Sequence, residues 1–305
     1  MQSHIQELPF APAALHGLSE TLLRSHHQNN YGGAVKRLNA IQHQLAALDF
    51  AAAPAFQLNG LKREELVATN SMLLHELYFG SLGGDGQTLA PAMGLALEAS
   101  FGSVERWRSE FAAMGKALAG GSGWVLLSFQ PRDGTLVNQW AADHTHSLAG
   151  GVPLLALDMY EHAYHLDFGA AAASYVDAFM GNIDWAPVYE RYQQAVHGAS
   201  EPLGSSADEL PPGALLLDVR RAGMYEKAQT LIPGARWRDP VAAGTWASEI
   251  PADREVVVYC VYGHEVGRAT AMRLRSQGVA ARFLRGGIDG WQAAGRPLAP
   301  KGAAS

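Results

Sequence analysis

The 305-residue chain carries 48% hydrophobic and 17% charged residues, the balance of a folded protein and not a disordered one, and its length favours two domains over a single core. A formal net charge of -6 argues against a nucleic-acid partner, which needs a basic face, and a single cysteine excludes internal disulfides and metal clusters with several thiolates. No stretch approaches the roughly 18 uninterrupted apolar residues of a membrane span, and the first residues lack a basic segment ahead of an apolar core. The expectation is a cytoplasmic protein with no nucleic-acid or membrane partner, in which His and carboxylates would have to hold any metal.

Ser19 is placed to cap a helix, and Ala34, Leu38, Ile41, Leu45 and Leu48 then follow helical spacing. Leu66, Val67, Asn70, Leu73, Leu74 and Leu77 predict a second helix, and the pair reads as an α-hairpin. Helical segments around 88–99 and 104–118 follow. Strands are predicted over 125–130 and 136–141, flanking a turn with Asp133 and Gly134, and another over 152–157. Helices first and then a small antiparallel sheet make this part α+β. Residues 198–212 are small, polar and rich in Pro and Gly, the composition of a linker. Beyond it, apolar strands at 214–219, 256–260 and 281–284 alternate with a helix over 266–277 that ends at Gly278. That order predicts an α/β domain with a parallel sheet. The expected division is 1–197, a linker over 198–212, and 213–300.

His26 and His75 fall one on each helix of the hairpin, while Asp158 and His162 lie four apart at the end of a buried strand. Three imidazoles and a carboxylate suit iron or manganese and leave room for solvent. The surrounding residues make the set more than four scattered side chains. Leu8-Pro9-Phe10, the helix ending at Val35-Lys36-Arg37-Leu38-Asn39, Gly121-Ser122-Gly123-Trp124, and the run from Pro153 through Asp158, Tyr160, Glu161 and His162 to Tyr164 all contribute. In these features residues 8–192 resemble the iron/manganese superoxide dismutases.

The resemblance implies that His26, His75, Asp158 and His162 ligate one Fe or Mn ion per subunit, with iron favoured. Superoxide would then be converted to oxygen and hydrogen peroxide. It also implies a homodimer or tetramer in which Glu161 of one subunit bonds His162 of another. Several positions depart from the family pattern. Tyr160 replaces Trp in the signature, Ser71 stands where many iron enzymes carry Gln, and the Gln of manganese enzymes falls at Asp143 or His144, of which His144 is the expected donor to the solvent ligand. Ala34 occupies the usual gateway Tyr position and Asn30 the His one turn before it, so Tyr31 is the expected replacement at the gateway. Ala172 stands where the family places an Arg, which leaves Lys36 and Arg37 as candidates for drawing in the anion.

Cys260 follows a buried strand and precedes a helix, where a tight loop aims N–H groups at the sulfur. Leu217-Asp218-Val219-Arg220, Ile232-Pro233-Gly234-Ala235, the loop from Tyr259 and Cys260 to Glu265, and the run from Leu284 to Trp291 are similar to rhodanese-like domains. Sulfur transfer through Cys260 from a donor such as thiosulfate is therefore expected. Glu265 stands where an Arg is often found, and it would oppose a thiolate if it pointed inward, while His264 or Arg268 would favour one. The alternative is a non-catalytic domain that senses or docks oxyanions.

Overall fold

The computed structural model describes residues 2–302. Helix α1 (Glu20–Ser25) begins at Ser19, whose side chain accepts from the Leu22 N–H, satisfying a donor that the first turn leaves free. A π-helical turn over His26–Tyr31 joins it to α2 (Gly32–Ala46), and α3 (Ala55–Phe79) packs antiparallel on α2 as the second arm of the hairpin. The sequence spacing gave α3 its place but not its buried face. Leu66 and Leu73 are half exposed, while Ala68, Ser71, Met72, His75 and Tyr78 face inward.

Helices α4 (Pro91–Phe101) and α5 (Val104–Ala117) lead to strands β1 (Trp124–Gln130), β2 (Thr135–Ala141) and β3 (Val152–Asp158). These form an antiparallel sheet in the order β2-β1-β3. Six consecutive residues of β1 are buried, because it is the central strand and α5 and α8 pack on it, while α3 packs on β3 beside it. Gly123, at φ 137°, opens β1 where a side chain would run into the Ala141 carbonyl. Short α6 (His165–Phe168), α7 (Ala172–Gly181) and α8 (Trp185–Ser200) complete the first domain.

The expected linker is largely structured. α8 continues to Ser200, and Gly204–Ser205 forms β4, an edge strand of the next sheet. Within the expected linker Gly204 leaves no room for a side chain beside Arg285, whereas Gly198 faces open space, a difference that composition alone does not signal. The second domain runs through β5 (Leu215–Asp218), α9 (Ala222–Lys227), β6 (Thr230–Leu231), β7 (Arg236–Trp237), α10 (Ala243–Trp246), β8 (Val256–Tyr259), α11 (Glu265–Ser276), β9 (Ala281–Leu284), α12 (Gly287–Ala293) and β10 (Ala299–Pro300). Its parallel sheet has the order β4-β9-β8-β5-β7, as the alternating pattern predicts. Helix α11 packs on both α8 and α4, and Met272 joins the core of the first domain. Among the described residues no helix is long and apolar enough to cross a membrane.

Candidate metal centre and cysteine pocket

The strand β3 ends at Asp158, and the chain then turns so that His162 comes back beside it. Asp158 is fully buried, and its Oδ1 accepts from the Tyr160 N–H at 2.8 Å while the Tyr175 hydroxyl donates to its carbonyl at 2.7 Å. The first bond orients the carboxylate and the second holds its backbone, with Oδ2 facing three imidazoles. Oδ2 lies 3.1 Å from His26 Nε2, 3.2 Å from His162 Nε2 and 3.5 Å from His75 Nε2. His75 Nε2 is 3.4 Å from His162 Nε2, and one ligand atom from each of the four lies within 4.8 Å of the others. Bonds of about 2.1 Å to one ion place neighbouring donors roughly 3.0–3.6 Å apart, so the donor set fits a mononuclear site.

Electrostatics agrees with the geometry. Burial depresses His26 and takes His75 down to about 3, against the raising effect of Asp158, so both imidazoles are neutral bases. Burial alone would raise the Asp158 carboxyl, but His162 and His26 hold it well below the usual carboxylate range. His75 Nδ1 donates to the Ser71 carbonyl at 2.6 Å, which leaves Nε2 free as the ligand nitrogen.

Asp143 and His144 point in different directions. Asp143 turns back to accept from Thr145, whereas His144 stacks on Tyr160 at 4.8 Å and lies 6.3 Å from the His75 ring. The Trp124 Nε1–H donates to His144 Nδ1 at 3.0 Å, so the ring hydrogen of His144 is on Nε2. Tyr31 is placed differently from the expected gateway. It is buried, and its hydroxyl donates to Glu76 Oε1 at 2.9 Å and accepts from the Gln6 N–H at 2.8 Å. Burial, with Glu76 adding to it, pushes that hydroxyl up to about 12. Its ring still lies 6.4 Å from that of His75, but its polar end ties down the N-terminal segment. Glu161 is exposed, and the His162 side chain is 26% exposed beside three buried ligands.

Cys260 follows β8 and is buried at 5% exposure. Burial pushes the Cys260 thiol up, and the backbone N–H groups of Gly267, Gly263, His264 and Tyr262 act against it. Gly263, at φ 69°, allows this turn, since a Cβ there would lie 2.7 Å from the Leu284 carbonyl. A pocket of about 300 Å³ opens before the sulfur. Arg268 does not face the sulfur. Its Nε donates to the Gly263 carbonyl at 3.0 Å and its Nη1 reaches Ser200 and Glu201.

Residues 90–191 match the model of the iron/manganese superoxide dismutase C-terminal domain, and residues 205–294 match that of the rhodanese-like domain. The chain is 66% identical over 196 residues to a protein named superoxide dismutase [Fe] from Cupriavidus metallidurans, covering 64% of this chain and 99% of that protein. The chain belongs to the iron/manganese superoxide dismutase family. A superoxide dismutase [Fe] from Aquifex pyrophilus is 35% identical over 193 residues, covering 61% of this chain and 89% of its own. A superoxide dismutase [Mn] 1 from Halobacterium salinarum is 36% identical over 182 residues, covering 58% and 88%.

Three contributors to these sites escaped sequence reasoning. Glu76 and Tyr175 act through hydrogen bonds between residues far apart in sequence, which no local pattern signals. Tyr189, on helix α8 of the dismutase domain, donates to Glu265 beside Cys260. Only the docking of the rhodanese-like domain on the dismutase domain brings that pair together.

Proposed function

We propose that this chain is a superoxide dismutase with one iron ion held by His26, His75, Asp158 and His162. The convergence of these four donors carries the reading, and the 66% identity to a protein named for iron supports iron over manganese. A bound iron ion would supply one-electron exchange, so that one superoxide leaves as oxygen and the next as hydrogen peroxide. Asp158 would offset part of the ion's charge, with the Tyr160 N–H holding its carboxylate and the Tyr175 hydroxyl its backbone carbonyl. His144, with its hydrogen on Nε2, acts as the hydrogen-bond donor and proton source beside the centre. Arg37 is the positive charge on the hairpin that stands in for the Arg that Ala172 replaces, and its pairing with Glu64 leaves the attraction of the anion weaker than an unpaired Arg would give. Glu161 of one protomer bonds His162 of its partner in a two-fold dimer, the location is the cytoplasm, and the domain boundary falls within 198–212.

Purified protein should carry close to one iron per chain and consume superoxide, and Asp158→Ala should lose both. Retention of metal and activity in that variant would overturn the reading.

In the second domain Cys260 accepts a sulfur atom from a small donor. Its support is the four N–H groups around Sγ, which stabilise a thiolate and the persulfide that follows. The burial that raises the thiol favours a second reading, a domain that binds without turnover. Mass spectrometry for one extra sulfur on Cys260 after exposure to a donor separates the two, and absence of any adduct supports the binding domain.

A further inference from the structure

The pocket before Cys260 is built from both domains. The rhodanese-like domain supplies the cysteine loop, Met224 and Val266, and the dismutase domain supplies Pro91, Ala92 and Tyr189. Most of this lining is apolar, so the charged groups that remain govern which ligand enters. Glu265 lines the pocket and is only 5% exposed. Both of its oxygens are held from α8, Oε1 by the Tyr189 hydroxyl and Oε2 by Gln193 Nε2 at 3.4 Å. It is therefore anchored by the other domain and does not swing out to solvent.

Neither arginine that lines the pocket pairs with it. Arg220 is already paired with buried Asp218, through Nε at 2.9 Å and Nη2 at 2.5 Å, and also donates to the Thr230 carbonyl. Arg221 is half exposed, where water screens its charge far more than it screens a buried one. His264 also lines the pocket, at its solvent-exposed side. A dianion approaching the sulfur meets a fixed, weakly screened negative charge.

We propose that Glu265, clamped by Tyr189 and Gln193 of the dismutase domain, sets the ligand selectivity of the Cys260 site: it bars dianions such as thiosulfate and admits sulfur donors with at most a single charge, a thiol persulfide R–S–SH. The choice of donor rests on the reading of Cys260 as a sulfur acceptor. In the transfer, the Cys260 thiolate attacks the outer sulfur of R–S–SH. An Sγ–S bond forms, and the donor's S–S bond breaks with its electron pair on the leaving R–S⁻. That thiolate takes up the proton given by the Cys260 thiol, so the products are the Cys260 persulfide and R–SH. No external oxidant or reductant enters.

Cys260 is the chain's one cysteine, so alkylation of the full chain reports on this pocket alone. Iodoacetamide and iodoacetate differ by a negative charge, and their rate ratio cancels the thiolate fraction. In the unmodified protein the ratio should exceed that of free cysteine by about tenfold or more. Glu265→Gln should return it to within about threefold of free cysteine, and Tyr189→Phe should lower it part of the way. A purely structural defect would slow both reagents together and leave the ratio unchanged. A ratio equal to that of free cysteine, or one that survives in Glu265→Gln, overturns the charge gate. If Glu265→Gln does not fold, the ratio in Tyr189→Phe decides. Sulfur loading by the persulfide of 2-mercaptoethanol, which carries no carboxylate, should outpace loading by thiosulfate by about tenfold, and equal rates overturn the choice of donor. Failure of both to load Cys260, with the alkylation ratio intact, overturns the sulfur-acceptor reading and leaves the gate standing.

Discussion

Trp124 settles the tautomer of His144, because an indole N–H only donates and so leaves Nδ1 as the acceptor. The imidazole that faces the metal ligands is therefore a donor, held by stacking on Tyr160 on one side and by Trp124 on the other. His144→Ala should lower dismutation by about 10–100-fold, the usual range for loss of an outer partner of a metal site. Metal content should stay unchanged, since the four ligands keep their own supports. Equal loss of metal and activity would make His144 a folding residue. Cys260 gives a prediction on pH. Its folded thiol titrates above the reference of 9.0, so the unfolded chain releases that proton first as pH rises. The stabilisation is fully present below the reference and is lost above it. Chemical unfolding between about pH 8 and pH 10 should show a decline in stability that is smaller in Cys260→Ser. An identical decline in the two proteins would contradict the raised thiol.

Helix α1 is short and depends on its cap. Ser19 accepts from the Leu22 N–H at 3.1 Å, and the Ser19 N–H and hydroxyl both donate to the Asp167 carboxylate at 2.6 Å. The helix that presents His26 is thus fastened to the segment just beyond His162. Ser19→Ala should cost about 1 kcal/mol, read as a lower unfolding midpoint, with the metal site formed. Ser19 as a cap was legible because capping is local. So were the longer helices and strands, which lie in periodic segments, and the four candidate donors, which the structure brings together. The π-turn over His26–Tyr31 was not. Reasoning on Tyr31 assumed regular helical spacing from Ala34, and it could not foresee that Glu76 and the Gln6 N–H would take the hydroxyl. The same limit applies to α3, where apolar spacing drew in Leu66 and Leu73, both half exposed. Periodicity shows that a helix has an apolar side, but not how much of that side its own domain covers.

At the scale of the whole molecule, His162 is the ligand left partly open in the protomer, with Glu161 exposed beside it. A two-fold partner that closes this edge would bury both residues twice over. Glu161→Ala should shift the assembly toward monomer in sedimentation and weaken metal retention, while the protomer's helix content stays constant. A dimer of undiminished stability would place the interface elsewhere. The joint between the domains is of another kind. Arg273 of α11 donates to Ser100 at 3.1 Å, Met272 joins the core of the first domain, and Arg268 and Arg285 both hold Glu201. No local sequence signal marks these contacts, because each half is patterned as a complete domain. Their consequence is for the way such a chain can be shortened or inherited. A gene cut after codon 200 would encode a first domain with its own sheet and ligands, but with Met272 missing from its core and the packing of α11 on α8 and α4 stripped away. The two halves are joined by a fitted surface as well as by a peptide bond, and removing one uncovers the face of the other that it packs against.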